Sequence, residues 1–266
     1  MKEPEILYMA INLPKSVDRR EHMARQAEEH GISIQIVEAV AGATLTDEQK
    51  AMYDARKRET MYVRHLSSNE QACVHSHRKA LGIFLESSAD YGVILEDDAT
   101  LEKGFKDGLL FLINEVPGWE CCKLYTEPSK LYSLCPPIPD APVQPVMPKK
   151  IPWGSVAYIY SRSAAQKIMA RFNSFWLGAD TQLVELMFAA KVALIGITPN
   201  LVGTLYAHNE QSDIDAGEKR TGTPAHFAKR TACQYLRYRL SVVKRAIGKS
   251  LARTRMQRIF KKTLSQ

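Results

Sequence analysis

Gly92-Val93-Ile94-Leu95 runs directly into three consecutive carboxylates, Glu96-Asp97-Asp98. Like charges packed side by side repel and raise one another's pKa unless a cation or hydrogen-bond donors intervene. In an open α/β sheet, ligands bind at the carboxyl ends of strands. An apolar strand ending in acids therefore points to a divalent cation holding an anionic group such as a diphosphate. A solvated acidic turn is the plain alternative, and residues elsewhere in the chain must decide.

The elements around this cluster alternate. Ile6 to Ile11 reads as a buried strand, and Ser16 as the N-cap of a helix running to about His30, with Gly31 as its stop. Ile32 to Val37 is a second strand, and Asp47 to Arg58 has a polar helical pattern. Ser67-Ser68-Asn69-Glu70 matches a capping box and opens a helix through about Leu85. On it Cys73, His77, Ala80 and Phe84 share one face, which predicts packing against the sheet. Gly92 to Leu95 follows as a strand and Phe105 to Ile113 as a helix. Later, Gly154 to Tyr160 and Val192 to Ile197 read as strands, and Ser163 to Phe172 and Asp180 to Ala190 as helices. This alternation predicts an α/β fold with a nucleotide-type site at its strand ends. Pro128 to Pro152 holds eight prolines and reads as a long loop, either a lid or the wall of an acceptor site, or a partly disordered segment.

Composition narrows the class. The chain has 266 residues, enough for one large domain. No apolar run approaches the roughly 18 residues that span a bilayer, and the charged start Met1-Lys2-Glu3-Pro4-Glu5 does not resemble a signal peptide. The expectation is a cytoplasmic protein. Five cysteines give neither an even disulfide framework nor paired C-x-x-C knuckles, and read as reduced, mostly buried thiols. The net charge of +7 is uneven: residues 219–266 carry 14 Lys/Arg and no acid, leaving 22 basic against 29 acidic residues in the first 218. Residues 1–218 thus form an acidic body and 219–266 a basic tail. Apolar residues interleaved with the tail's cations fit an amphipathic helix on an anionic membrane surface.

Six blocks between Ile11 and Ile214 resemble glycosyltransferase family 25, the sugar transferases of bacterial lipooligosaccharide synthesis and their collagen-galactosylating relatives. Ile11-Asn12-Leu13 with Asp18-Arg19-Arg20 resembles the family's opening strand and arginine-bearing helix. Glu38-Ala39-Val40-Ala41-Gly42 is similar to its Ala-Val-Asp-Gly turn, with Ala41 in place of Asp. Glu70-Gln71-Ala72-Cys73-Val74-His75-Ser76-His77 resembles Glu-x-x-Cys-x-x-Ser-His, and Glu96-Asp97-Asp98 matches the family's acid motif. Trp153 to Arg162 resembles the later Gly-Thr-x-Ala-Tyr-x-x-Ser-Arg block. Asp180 stands where the family has an Asp opening a helix, and His208 to Ser212 is similar to the closing His-x-x-x-Ser segment.

The resemblance implies a GT-A-like fold with a mixed, mostly parallel sheet over residues 1–218. It also implies a UDP-sugar donor, Mn²⁺ or Mg²⁺, and transfer with inversion. Galactose from UDP-galactose is the leading donor, and a lipid-linked oligosaccharide the expected acceptor, at the inner face of a membrane. Asp98 is the first expected metal ligand, Asp97 the second, and His208 a candidate third. Asp180 is the candidate general base, with N-capping of its helix as its structural alternative; Glu127 is the runner-up. Asn12, Arg19 and Arg20 suit uracil and phosphate contacts, and Glu96 suits ribose or the orientation of its neighbours. Glu70, Ser76 and His77 are further donor-side candidates, although Glu70 fits a capping box and His77 fits core packing. Two other functions remain readable: a non-catalytic nucleotide-sugar or glycan-binding protein on this fold, and a nucleic-acid-associated protein using the tail. The lipid-linked acceptor favours membrane over nucleic acid as the tail's partner.

Overall fold

The computed structural model describes residues 4–62, 64–126, 131–148, 154–205 and 232–263. Ten strands, β1 (Ile6–Asn12), β2 (Ile34–Glu38), β3 (Tyr91–Glu96), β4 (Ala99–Leu101), β5 (Cys121–Lys123), β6 (Leu131–Ser133), β7 (Gln144–Pro148), β8 (Ala157–Ser161), β9 (Leu194–Thr198) and β10 (Val202–Thr204), are found among them. The helices are α1 (Val17–Glu29), α2 (Asp47–Ala51), α3 (Ala55–Met61), α4 (Ser68–Glu86), α5 (Phe105–Glu115), α6 (Arg162–Met169), α7 (Ala179–Ala189) and α8 (Ala232–Thr263).

Eight strands form one sheet in the order β2-β1-β3-β8-β5-β9-β7-β6, and β4 pairs with β10 in a separate ribbon. The pairs β1–β2, β1–β3 and β5–β9 are parallel, whereas β8 and β7 run against their neighbours. Six of the eight strands therefore point one way, which is the mixed, mostly parallel α/β sheet of the GT-A-like expectation. Burial on both faces explains the near-continuous apolar runs of β1, β3 and β8. On one face Met23 of α1 and Phe105, Leu109 and Leu112 of α5 pack with Val93, Leu95 and Ile159. On the other, α4, α6 and α7 supply Ala80, Phe84, Ile168, Leu183 and Met187 against Met9, Ile94 and Tyr158.

Local chemistry sets the element ends. Ser67 and Glu70 form the reciprocal capping box of α4, as its sequence predicts. Gly31 stops the chain after α1 at φ +60°, a conformation glycine adopts without strain. Gly92 lets the Phe84 ring lie on β3; an added Cβ would fall 2.6 Å from that ring. The helix expected over Asp47 to Arg58 is two helices, because Thr46 caps the first and Asp54 the second. Between them the chain exchanges hydrogen bonds with Phe175 through Met52 and Asp54.

The proline-rich stretch is a second correction. The loop expected over Pro128 to Pro152 contains β6 and β7, which extend the sheet beyond β9. Pro145 is the second residue of β7, and its carbonyl accepts from the Leu134 amide.

Residues 219–231 of the tail lie outside the described residues, and α8 occupies most of the remainder. Its last turns bury Met256 and Phe260 in the core beside Leu112 and Trp119. No helix among the described residues is long and apolar enough to cross a membrane. Cys121 and Cys122 are buried and Cys73 and Cys135 half-buried, all as free thiols.

Glu120, just before β5, joins three elements: it accepts from Lys167 of α6, from Ser163 at 3.1 Å and from the Ala193 amide at 3.0 Å. Burial pushes its carboxyl up, but Lys167 and the other donors outweigh this and hold it below the usual range. A depressed folded pKa adds stability above the unfolded value, and that stability is lost as pH falls through the folded value. Glu120→Gln is expected to cost about 1 kcal/mol at neutral pH, discounted for partial solvent screening. Urea unfolding of both proteins from pH 7 to pH 3 checks this: the gap should close towards acid, and a constant gap would refute the electrostatic origin.

Candidate active site

Strand polarity gathers the site. β1 ends at Asn12, β3 at Glu96 and β5 at Lys123, all pointing the same way, and β8 begins beside them because it runs antiparallel. The Glu96 amide donates to the Val156 carbonyl at 2.8 Å, which brings Ser155 and Gly154 to the acids. After Asp98 the chain turns into β4, whose position is fixed by α1: Gln26 accepts from the Leu101 amide and His22 meets the Ala99 carbonyl. β10 pairs with β4 and delivers Thr204.

The three acids differ in their partners. Glu96 accepts from Ser155 and lies 3.1 Å from the Nε2 of His77. Burial would raise its carboxyl, but the hydrogen bond and charge of His77, with Ser155 and the Lys123 ammonium, hold it below the usual range. Asp97 accepts from Asn12 at 2.8 Å on one oxygen and pairs with Arg19 at 2.9 Å on the other. Asn12 is held in turn by the Arg20 guanidinium and donates to the Ser16 carbonyl. Asp98 accepts from Thr204 at 2.9 Å through Oδ2, whereas its Oδ1 is buried with no hydrogen-bond partner. Burial and the charges of Glu96 and Asp97 push the Asp98 carboxyl up to about 6.

This division revises the reading of the sequence. Asp97 is countered by Arg19, and Arg20 is spent on Asn12, so these residues brace the β1–β3 end. Of the three acids, Asp98 is the one with a buried oxygen that has no hydrogen-bond partner among the described residues. His77 does share the predicted face of α4, yet its ring is more than packing, since it orients Glu96. The hydrogen bonds of Ser76 and Glu70 serve the framework: Ser76 donates to the Ala72 carbonyl and accepts from the Val40 amide, and Glu70 adds a bidentate pair with Arg64 to its capping box. Asp180 is not an N-cap, a place taken by Gly178. Its carboxylate accepts from the amides of Gly154 and Thr181 and from the Thr181 hydroxyl. Glu127, Trp153 and His208 lie outside the described residues.

Cys73, His77 and Glu96 offer three ligand-type atoms within 4.8 Å of one another. Burial pushes the Cys73 thiol well up, and the charges of Glu96, Asp180, Glu70 and Asp98 add to this. Asp180 is linked to the acids by geometry: it accepts from the Gly154 amide, and the adjacent Ser155 donates to Glu96.

Lys123, Ser155 and Thr204 were given no role from the sequence. The Lys123 ammonium is fully buried, lies over the Tyr158 ring and donates to the Gly154 carbonyl at 2.6 Å. A lone lysine within Cys121-Cys122-Lys123-Leu124 was the available signal, because lysine is almost never fully buried unless paired. Ser155 falls within the Trp153 to Arg162 block, at the place of the family's Thr; no such signal marks Thr204.

Sheet, layers and acid-ended central strand define a mixed α/β fold with the acid cluster at its strand ends. Residues 7–133 match the family described as glycosyltransferase family 25 (LPS biosynthesis protein), so the resemblance read from the sequence holds over the segment from β1 to β6. The chain is 25% identical over 167 residues to procollagen galactosyltransferase 2 of Homo sapiens, covering 60% of this chain and 26% of that protein. The mouse protein of the same name, from Mus musculus, is 30% identical over 110 residues, covering 40% of this chain and 18% of the relative. Procollagen galactosyltransferase 1-A of Xenopus laevis is 25% identical over 167 residues, covering 60% and 27%. The chain thus spans about a quarter or less of the length of these relatives. Among solved structures, a glycosyltransferase involved in the glycosylation of the major capsid of PBCV-1 aligns with TM-score 0.40 at 10% identity, covering 77% of this chain and 95% of that one.

Proposed function

We propose that this protein is a metal-dependent glycosyltransferase. In this reading it moves a hexose, galactose from UDP-galactose first among the donors, onto the oligosaccharide of a lipid-linked glycan, with inversion, at the cytoplasmic face of a membrane. The observation that carries the reading is the buried, unpartnered Oδ1 of Asp98 beside Glu96 at the end of β3. A cation there would offset both the burial and the repulsion from Glu96 and Asp97 that raise the Asp98 carboxyl. The family 25 match over β1 to β6 and the galactosyltransferase names of the relatives support the sugar chemistry.

The carboxylate donors suit Mn²⁺ or Mg²⁺, which take oxygen ligands. Asp98 would hold the ion first, and Asp97 only by sharing an oxygen with Arg19 or Asn12. His208 follows Leu205, whose amide donates to the Asp98 carbonyl at 2.8 Å. Three residues of chain reach about 10 Å, which keeps His208 eligible as a further ligand. When bound, the cation supplies charge neutralisation to the departing nucleoside diphosphate. Thr204 fixes the Asp98 carboxylate, and His77 and Ser155 fix Glu96 for donor hydroxyls. A carboxylate offers about four lone-pair sites; Asp180 uses three, leaving one for the proton of an acceptor hydroxyl.

A panel of UDP-sugars incubated with Mn²⁺, with Mg²⁺ and with EDTA tests this. UDP release from UDP-galactose, abolished by EDTA, is the expected result, and the product's anomeric configuration by NMR tests inversion. Folded protein that binds UDP with the metal but releases none from any UDP-sugar would instead favour a binding protein.

A further inference from the structure

Leu236, Leu240, Val243, Ile247 and Leu251 of α8 are each between 50% and 66% exposed. At 3.6 residues per turn they fall within an arc of about 80° and form one stripe about 22 Å long. The same geometry puts Ala252, Met256, Ile259 and Phe260, which pack with the core, on the opposite side of the helix. α8 also runs against α3 and α7. The helix is therefore held by one face while its other face stays uncovered among the described residues.

The charges frame this stripe. Arg239 and Lys244 are exposed and project about 40° and 20° beyond its two edges. Residues 232–263 hold ten Lys/Arg and no acid. We infer that the stripe is a docking face for an anionic lipid surface, with Leu240, Val243 and Ile247 entering the acyl boundary and the flanking cations at headgroup level. Apolar residues flanked on both sides by cations that can snorkel are the arrangement an interfacial helix requires. Nucleic acid would use the cations and leave five large apolar side chains unused. A second copy of this helix would bring ten cations against ten.

The inference is independent of the nucleotide-sugar reading, since donor turnover can be measured without vesicles. Full-length protein is floated with vesicles of pure phosphatidylcholine and with vesicles containing 30% phosphatidylglycerol. Binding to the anionic vesicles alone is expected. Leu240→Ser with Ile247→Ser should weaken it at least about tenfold, and Arg239→Glu with Lys244→Glu by a similar factor that shrinks in high salt. Both double variants should keep the wild-type circular dichroism and metal-dependent UDP release. Equal flotation of the serine variant would overturn the inference. So would a dimer in sedimentation velocity that the serine changes abolish, or DNA retention in place of vesicle binding.

Discussion

Asp98→Asn should reduce metal-dependent sugar transfer by at least about a hundredfold while the protein stays folded. The asparagine keeps an acceptor for Thr204, so the β4–β10 ribbon remains tied to the turn. It removes the one carboxylate of the cluster whose Oδ1 is buried without a partner. Without metal the variant should melt no lower than the wild type, and higher at neutral pH. The Asp98 carboxyl is raised from 3.8 to about 6, chiefly by burial and then by Glu96. A raised acid pKa means the folded state binds the proton more tightly, so ionisation lowers stability as pH rises through that window. The amide escapes this cost. Added Mn²⁺ should raise the melting temperature of the wild type and leave the variant unmoved, because only the folded state offers the site. Unchanged turnover with Mn²⁺, or an unchanged thermal shift, would remove Asp98 from the site.

The second large effect lies away from the acids. Arg162 opens α6, yet its guanidinium crosses to the end of α4 and donates to the carbonyls of Leu85 at 3.0 Å, Ser87 at 2.7 Å and Ala89 at 2.6 Å. It also lies over the Phe84 ring. The last carbonyls of a helix have no intrahelical partners, and here one cation satisfies several while tying α4 to the sheet. Arg162→Leu should cost about 3 kcal/mol, since three part-buried carbonyls lose their charged donor together. Arg162→Lys should recover only part, because a single ammonium cannot span the three carbonyls that the planar fork reaches. Urea denaturation measures both, and a loss under about 0.5 kcal/mol in the leucine variant would show the bonds to be incidental. The Arg of the Ser161-Arg162 block is thus architectural: it holds in place the helix that carries His77.

Much of this was legible in the residues. Ser67 and Glu70 define their helix start by local geometry, and the β3 run predicts a buried strand ending in acids. Such features depend on neighbours a few positions apart, where spacing alone decides contact. The misread segments involve distant competition. Met52 and Asp54 break a polar helix because Phe175 offers them backbone partners, and the proline-rich residues of β7 form a strand because β9 and β6, distant in sequence or across a turn, pair with them on both sides.

Sequence alone determined the α/β class, the acid cluster and the family 25 resemblance, because alternating patterns and motif order survive without coordinates. Only the tertiary structure decided how the acids differ. Arg19 reaches Asp97 across 78 positions, Ser155 reaches Glu96 across 59, and Thr204 reaches Asp98 across 106. Which carboxylate oxygen is left without a donor depends on these crossings, and strand order rather than spacing along the chain sets them.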